Sequence, residues 1–367
     1  MSKRCLILYF CYPITIVFLL NCAPDNRKSS INSIEQVVDS GEVNFRTIRP
    51  VFSEFQVDCS IRALEVINRD QVWFAGSAAT YGYTTDGGQN WVIDSITNIG
   101  SGLEFRSIAV TDSAVFLLSV ASPAYLLRSI DRGAHWEVVY HEDHPDTFYD
   151  SMKFWDNESG IAMGDPVDGC LSIILTRDGG KSWHKLPCSR LPATHLGEAA
   201  FAASNSNISV FGDNVWLVTG GTKARVFRSA DRGDSWEVFD TPVVQGGKMT
   251  GIFSVDFYND QSGIIFGGDW ENKSLNTTNK AHTKDGGKTW ELLADGSYPG
   301  YRSCVRYVPG SSGKGIFAVG IPGISYSGDG GGSWQHLEME DFYTISLALN
   351  EKLGWLAGKN KIAKMEW

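Results

Sequence analysis

One eight-residue motif recurs six times along the chain, and it constrains the fold more than any other feature of the sequence. The motif has the form [ST]-x-D-x-G-x-x-W, and its first copy is the segment 84–91. Successive copies begin at intervals of 44 to 54 residues. The six aspartates of the motif are Asp86, Asp131, Asp178, Asp231, Asp285 and Asp329. A repeat of this length indicates that one structural unit is used many times.

The residue types of this octad predict a hairpin turn. An aspartate carboxylate accepts hydrogen bonds from the N–H groups of a turn, and a serine or threonine hydroxyl adds another. The glycine supplies a backbone position with positive φ, and the tryptophan begins the next strand and packs its ring in the core. We therefore predict that the six aspartates are structural, because their hydrogen-bonding capacity is used by the turn itself.

Each octad lies among four short runs that are rich in β-branched and aromatic residues. In the third unit these runs are 151–156, 160–165, 172–178 and 182–188. Four strands in about 45 residues is typical of one blade of a β-propeller.

The number of units predicts how the ring closes. Six units carry the octad, and the last segment, 343–367, supplies three strands. The segment 43–52 looks like a lone outer strand that completes this last unit. The sequence therefore predicts an all-β, seven-bladed β-propeller over residues 43–367, closed by pairing of strand 43–50 with 361–367.

The N-terminus predicts export and lipid attachment. Two basic residues precede an apolar run over 5–20, which is short for a membrane span and favours a signal peptide over 1–21. Cys22 ends a segment that resembles a bacterial lipoprotein box. Residues 22–42 would then be a lipidated cysteine and a polar tether. Ala23 after the cysteine favours the periplasmic side of an outer membrane, with contact to the membrane through the lipid only.

The octad resembles the Asp box, or BNR repeat, of sialidases, sortilin-like receptors, xyloglucanases and the photosystem II stability and assembly factor family. One octad in nearly every unit of a single ring is most similar to the last of these. The segments 160–169 and 197–206 also resemble bacterial lipoprotein-type relatives of that factor. The resemblance implies a non-catalytic protein that binds partner proteins and needs no cofactor.

A ligand or partner face is expected at the end of the propeller opposite the octad turns. In propellers, the loops between the second and third strands and the connections between blades lie at this end. Arginine and tyrosine are frequent anchors in binding surfaces. The candidate residues of this face are Arg106, Tyr149, Asp150, Asp165, Asp168, Glu198, Asp269, Trp270, Tyr301, Arg302 and Tyr343.

Other chemistries receive weaker support from the sequence. The segment 45–50 resembles a sialidase arginine motif, but two residues interrupt it. The loop 141–146 gathers histidines and acids without a fixed metal-binding geometry, so no metal is expected. No nucleotide-binding glycine motif opens a helix. The net charge of −10 argues against non-specific binding to nucleic acid.

Two cysteines are placed for a disulfide. Cys170 and Cys188 are symmetric about Gly179, at the centre of the third octad turn, so they should face each other across a hairpin. An exported protein is exposed to oxidising conditions, which favours the bridge. Cys59 and Cys304 are expected to stay unbridged.

These observations predict a monomeric, non-catalytic, lipid-anchored propeller of the cell envelope that binds an unidentified protein partner or assembly intermediate. The alternative is a sialidase-like glycan-active enzyme or glycan-binding propeller. A cluster of arginines beside a Tyr–Glu pair in the channel would favour the alternative.

Overall fold

A computed structural model describes residues 47–100, 102–338 and 341–367. The predicted signal peptide (1–21), Cys22 and the tether (22–42) lie outside these residues. The regular secondary structure of the described residues consists of strands, with one short 3₁₀ helix at Cys188–Arg190. No helix within these ranges is long and apolar enough to cross a membrane.

The strands are short and regularly spaced, as the repeat predicts. In chain order the first fourteen are β1 (Val51–Val66), β2 (Val72–Gly76), β3 (Thr80–Thr84), β4 (Val92–Ser95), β5 (Phe105–Val110), β6 (Val115–Ser119), β7 (Ala124–Ser129), β8 (Glu137–Glu142), β9 (Tyr149–Phe154), β10 (Gly160–Val167), β11 (Cys170–Thr176), β12 (His184–Lys185), β13 (Glu198–Ala199) and β14 (Ile208–Phe211). The others are β15 (Asn214–Val218), β16 (Gly220–Gly221), β17 (Arg225–Ser229), β18 (Glu237–Asp240), β19 (Thr250–Phe257), β20 (Gly263–Asp269), β21 (Lys280–Thr283), β22 (Glu291–Leu292), β23 (Cys304–Tyr307), β24 (Ile316–Gly320), β25 (Gly323–Ser327), β26 (Gln335–Glu338), β27 (Phe342–Leu347) and β28 (Leu353–Glu366).

Antiparallel pairing joins these strands into six sheets within the described residues. Four sheets have four strands each: β5 to β8, β9 to β12, β14-β15-β17-β18 and β23 to β26. A fifth joins the pair β13-β16 to β19 to β22, and the sixth has the order β27-β28-β1-β2-β3-β4. The arrangement is an all-β propeller.

The prediction of seven separate blades is wrong, since the strand pairing gives six sheets. The difference arises at β1, which is 16 residues long. Its first part, Val51–Gln56, pairs with β28, and its second part, Ile61–Val66, pairs with β2. One continuous strand thus links the last unit to the first and merges them into a single six-stranded sheet.

The first and last described strands, β1 and β28, pair in this merged sheet. Residues 51–56 pair with 361–366. Of the predicted strand 43–50, residues 43–46 lie outside the described residues. Residues 47–50 are described but are not in a strand, although the N–H of Ile48 donates to Gln335 Oε1 at 3.3 Å. The pairing uses the N-terminal and C-terminal strands to cover each other's edges.

Aromatic rings fill the spaces between sheets. Trp355 and Phe74 are fully buried in the cluster that separates the two halves of the merged sheet. Trp216 stacks on Phe257 with ring centroids 3.5 Å apart. Burial of large rings supplies much of the hydrophobic stabilisation of a sheet packing of this kind.

The octads form hairpin turns with one repeated hydrogen-bond pattern. In all six, the Ser or Thr hydroxyl donates to the aspartate Oδ1 at 2.7–2.9 Å. The same hydroxyl oxygen accepts from the N–H of the motif glycine. The N–H four residues after each aspartate donates to the same oxygen at 2.8–3.1 Å. The six carboxylates therefore hold the turns together.

The octad turns share one end of the propeller with the turns between the first and second strands of each unit. The N–H of Gly179 donates to the carbonyl of Glu158 at 3.0 Å, and Gly286 and Gln261 form the matching bond at 2.9 Å. Gly88 shows why glycine is needed in the turn. Its φ is +89°, and a Cβ atom there would lie 2.4 Å from the Trp355 ring.

Cys170 and Cys188 are joined by a disulfide, with their Cα atoms 5.5 Å apart. The bridge connects the beginning of β11 to the residue that opens the 3₁₀ helix. The strand opposite β11 is shorter than the predicted run 182–188, since it covers only His184–Lys185. Pro187 has no N–H to donate, which is consistent with this early end. Cys59 and Cys304 are buried free thiols.

Candidate functional site

Five of the innermost strands have a β-bulge at an equivalent place, which in β1 is the start of the part that pairs with β2. In each, one residue of the innermost strand has no pairing partner in the second strand of the sheet. The skipped residues are Arg62 in β1, Arg106 in β5, Asp150 in β9, Phe253 in β19 and Tyr343 in β27. A bulge turns a side chain out of the regular alternation and is frequent beside functional sites. We call these five residues the bulge ring.

The bulge ring surrounds a cavity of about 390 Å³ at the end of the channel opposite the octad turns. Arg62, Arg106, Phe253 and Tyr343 line this central cavity directly. Asp150 is fully buried. The repeated bulges therefore bring side chains from distant units to one site.

One wall of the central cavity is aromatic. Phe201 stacks on Phe253 with centroids 4.0 Å apart, and Tyr301 meets Phe253 edge-on at 4.8 Å. Trp270 is 39% exposed at the rim. An apolar wall with few polar groups is typical of sites that bind a side chain or a small ligand.

Cationic groups line the same cavity. The Arg62 guanidinium lies 4.1 Å from the centroid of the Tyr343 ring and donates to the carbonyl of Ala203 at 3.2 Å. It makes no ion pair with any described residue. Arg106 is paired with Glu104 at 3.0 Å, and Lys248 also lines the cavity. Burial first, and Arg106 second, lower the pKa of Arg62.

Two carboxyl groups adjoin the cavity. Asp165 lines it, and its Oδ1 accepts from the N–H of Ala200 at 2.7 Å. Neither carboxylate oxygen of Asp150 has a hydrogen-bond partner among the described residues. Burial raises the pKa of Asp165 to about 6. Burial, followed by the charge of Asp165, raises the pKa of Asp150 well above its usual range, and Arg106 opposes this.

A polar segment closes the channel beneath the cavity. Residues 203–207 cross between the innermost strands, and Ser204, Asn205 and Ser206 are almost fully buried. Asn205 accepts from the N–H of Met152 at 3.1 Å and donates to the carbonyl of Ile108 at 2.9 Å. We call residues 203–207 the plug. Because the plug forms hydrogen bonds with several units, the channel is closed below the cavity.

A second cavity, of about 510 Å³, continues from the first across the second unit. The two share Arg106 and Phe148 in their linings. Pro123 and Tyr125 line the far part of the second cavity. The two cavities are therefore adjacent, with Arg106 and Phe148 in the lining of both.

The structure brings five of the eleven sequence-predicted face residues into the central cavity. These are Arg106, Asp165, Trp270, Tyr301 and Tyr343. The other six do not line it: Tyr149, Asp150, Asp168, Glu198, Asp269 and Arg302.

Three of these six serve as buried hydrogen-bonding groups. Glu198 forms a buried ion pair with Arg225 at 2.6 Å. Arg302 is 1% exposed and donates to Ser325 Oγ at 2.8 Å. Tyr149 is fully buried, and its hydroxyl donates to Glu142 Oε2 at 2.8 Å.

Two others lie in or next to turns. Asp168 is exposed, with φ +55°, between β10 and β11. Asp269 accepts from the N–H groups of Glu271 and Asn272 at 2.8 and 3.1 Å. The remaining one, Asp150, lies in the bulge ring. Sequence position alone did not give the direction of these side chains.

The arrangement expected of a sialidase is not assembled in the described part of the chain. Arg62 and Arg106 do lie together in the cavity. The Tyr149–Glu142 pair, however, lies outside its lining, and burial raises the pKa of Tyr149 well above its usual range. A buried tyrosine with a raised pKa is a poor nucleophile.

The acidic loop shows no metal geometry. His141 Nε2 lies 2.8 Å from Asp143 Oδ1, and its ring stacks on Tyr125 at 4.7 Å. Among the described residues no three His, Cys, Asp or Glu side chains are grouped to hold a metal ion.

Sequence reasoning missed Arg62, Phe148, Phe201, Met249 and Phe253. An alignment of the repeats would have suggested Arg62 and Phe253. They occupy the same place in the first and fifth units as Arg106, which was predicted, occupies in the second. Phe201 gave no such signal, because it lies in a non-repeated segment next to the plug.

Comparison with known proteins supports the fold. No protein-family model and no curated protein matches the chain. Among solved structures, YCF48 bound to D1 peptide has 18% sequence identity and a TM-score of 0.63, over 86% of this chain and 97% of that one. YCF48 from Cyanidioschyzon merolae has 15% identity and a TM-score of 0.62, over 86% and 98%. The GH74 enzyme of Niastella koreensis has 14% identity and a TM-score of 0.54, over 84% and 43%. In fold, the chain is similar to these propellers.

Proposed function

We propose that this protein is a non-catalytic propeller that binds a segment of a partner protein in the central cavity. The observation that carries the proposal is the bulge ring, which places Arg62 beside an aromatic wall with no ion pair to any residue that the structure describes. Arginine and aromatic residues in a concave, partly desolvated site are typical anchors of a binding surface. The similarity in fold to YCF48, solved with a D1 peptide, supports a peptide-like ligand.

The adjacency of the two cavities supports a chain segment as the ligand. The second cavity continues from the first at Arg106 and Phe148, so a bound segment could extend across the second unit. A binding role in place of catalysis is supported by the octad aspartates and Tyr149, which are all engaged in internal hydrogen bonds.

We also propose that the protein is a monomeric lipoprotein of the cell envelope, on the periplasmic side of an outer membrane, and that its octads are Asp boxes of the BNR type. Cys22 would carry the lipid. Metabolic labelling with an alkyne fatty acid should mark the protein and should fail for Cys22→Ser. The variant Cys59→Ser, which removes a buried thiol, is the matched control.

Site-specific photo-crosslinking tests the binding function. A benzoylphenylalanine at position 270, which is 39% exposed at the cavity rim, should give a partner adduct in the cell envelope. The same residue at position 130, which is 69% exposed in the second octad turn, should not. The adduct should disappear when Arg62→Met is added. Adducts at position 130 only, or adducts that persist with Arg62→Met, would contradict the proposal.

A further inference from the structure

We propose that the central cavity receives a carboxylate carried by an apolar part of the partner, and that its binding is accompanied by uptake of a proton at the Asp150–Asp165 pair. The inference rests on the proposed function, since it names the chemical group that enters the cavity.

The charge of the cavity favours a carboxylate. A guanidinium that is largely removed from water needs a partner charge or good hydrogen bonds, and Arg62 has one carbonyl and one ring face. Arg106 already shares its charge with Glu104. Arg62 and Lys248 line the cavity without an ion pair to a described residue, and Asp165 supplies one negative charge when it is ionised, so one positive charge is left to match a single carboxylate. A carboxylate fits a guanidinium through two parallel hydrogen bonds. A doubly charged phosphate would leave an unmatched charge beside Asp165.

The aromatic wall favours an apolar group next to that carboxylate. Phe201, Phe253 and Tyr301 pack on one another beside the arginines. Burial of an apolar side chain on this wall would remove water from the ion pair and strengthen it.

The two aspartates are held together by the register of their strands. Gly164 pairs with Tyr149, and the N–H of Asp165 donates to the carbonyl of Phe148 at 2.8 Å. Asp165 therefore lies beside the bulge that carries Asp150. Two adjacent, poorly solvated carboxyl groups cannot both ionise at low cost, and they titrate as a pair.

A bound carboxylate would shift this titration. The positive charge of Arg106 favours the ionised form of Asp150, and an anion paired with the arginines cancels part of that charge. The pair then holds its proton to a higher pH when the ligand is bound. By linkage, affinity is full below the pKa of the free pair, near pH 6 for Asp165, and falls as the pH rises above it. The fall is limited to about tenfold per pH unit for one proton.

The other charged groups near Asp165 do not explain such a dependence. Lys248 lines the cavity, and Glu104 is ion-paired with Arg106. On β13, Glu198 is paired with Arg225. The phenols of Tyr301 and Tyr343 also line the cavity, and burial raises the pKa of Tyr301 far above neutral pH. No histidine is among the described residues that line the cavity.

Three small probes test the inference on the full-length protein by isothermal titration calorimetry. N-acetylphenylalanine carries an α-carboxylate beside an apolar ring, and N-acetylglutamylphenylalaninamide carries a side-chain carboxylate instead. N-acetylphenylalaninamide has no charge. We expect at least one carboxylate probe to bind about tenfold more tightly than the amide at pH 5.5. The better of the two identifies the source of the carboxylate, a chain end or an acidic side chain.

The pH series and its variants test the proton. Between pH 6 and 8 the affinity for the carboxylate probe should fall, and buffers of different ionisation enthalpy should show proton uptake. Asp165→Asn can keep the hydrogen bond from the N–H of Ala200 and should flatten the pH dependence of the affinity. Asp168→Asn, which changes an exposed carboxylate on the same hairpin, should behave as the wild type.

Equal binding of acid and amide, absence of binding by all three probes, or an affinity that does not change with pH would overturn the inference. So would an unchanged pH dependence in Asp165→Asn. The photo-crosslink at position 270 judges the proposed function separately, because it requires no particular ligand group.

Discussion

The two ends of the central channel are built from the same innermost strands, yet the charged residues at one end are paired more completely than those at the other. Three residues after the bulge positions 62, 150 and 253 lie Glu65, Lys153 and Asp256. Lys153 is ion-paired with Glu65. Asp256 lies 3.9 Å from Arg306 and accepts from the N–H of Tyr307 at 2.7 Å.

At the bulge ring the charges are less completely matched. Arg62 has no ion pair and Asp150 has no hydrogen bond to its carboxylate within the described residues. Buried polar groups are normally paired, so unpaired ones at one end of a strand and paired ones at the other point to different roles. One end, together with the octad turns, stabilises the propeller, and the other has the unpaired charges on which the proposed binding function rests.

The largest expected effect is the loss of ligand binding in Arg62→Met. The methionine keeps apolar packing against Tyr343 but removes the charge, so affinity for the carboxylate probe should fall by about tenfold or more. Thermal unfolding should change little, because Arg62 makes a single hydrogen bond. Arg69→Met is the matched control, since Arg69 forms exposed ion pairs with Glu351 and Glu366. If both variants weaken binding equally, the bulge ring has no special role.

For the octad turns we expect a loss of stability without a loss of ligand binding. Asp178→Ala removes the acceptor for the N–H and hydroxyl of Ser182, at 3.1 and 2.7 Å. The free energy of unfolding should fall by about 1–3 kcal/mol, while probe affinity stays unchanged. Chemical denaturation and calorimetry measure the two quantities, with the exposed Asp260→Ala as the control. A folded Asp178→Ala protein that no longer binds would contradict the separation of roles.

Asp165→Asn should raise stability at neutral and alkaline pH. Burial raises the pKa of Asp165 to about 6, above the usual value of an unfolded aspartate. The carboxyl therefore favours folding below about pH 4, and this contribution is lost as the pH rises through 6. Removal of the charge should stabilise the protein by about 1–3 kcal/mol at pH 8 and have little effect at pH 4. Denaturation curves at the two pH values measure this, and equal effects at both would be inconsistent with the raised pKa.

The pKa of an octad carboxylate is shifted in the opposite direction, downward. Burial opposes ionisation of Asp178, but hydrogen bonds from Ser182 outweigh it and lower its pKa to about 2. Stability from this group is present above the pKa of an unfolded aspartate and is lost as the pH falls through 2. The stability contributions of the octad turns and of Asp165 beside the cavity thus change over different pH ranges.

The smallest effect is expected at the disulfide. Non-reducing peptide mapping should show Cys170 linked to Cys188, with Cys59 and Cys304 alkylated only after denaturation. Because the closed loop is short, reduction should lower the free energy of unfolding by at most about 3 kcal/mol. Alkylation of both Cys170 and Cys188 without reduction would show that the bridge is absent.

The sequence predicted the propeller through the octads, because every copy uses the same local hydrogen bonds around its aspartate. It did not predict six sheets, since nothing in the run 51–66 shows that one strand continues from the last unit into the first. It also could not predict the bulges at Arg62 or Phe253, because a one-residue skip in register is set by pairing with the neighbouring strand. The plug reads as an ordinary polar loop, and its bonds to distant strands exist only in the closed ring.

Hydrogen exchange measured by mass spectrometry tests the central separation most directly. Saturating N-acetylphenylalanine at pH 6 should slow exchange in peptides that cover Arg62, Arg106, Phe253 and the plug, and leave the six octad turns unchanged. Slowed exchange confined to the octad turns, or no change at the bulge ring while the probe is bound, would contradict the account.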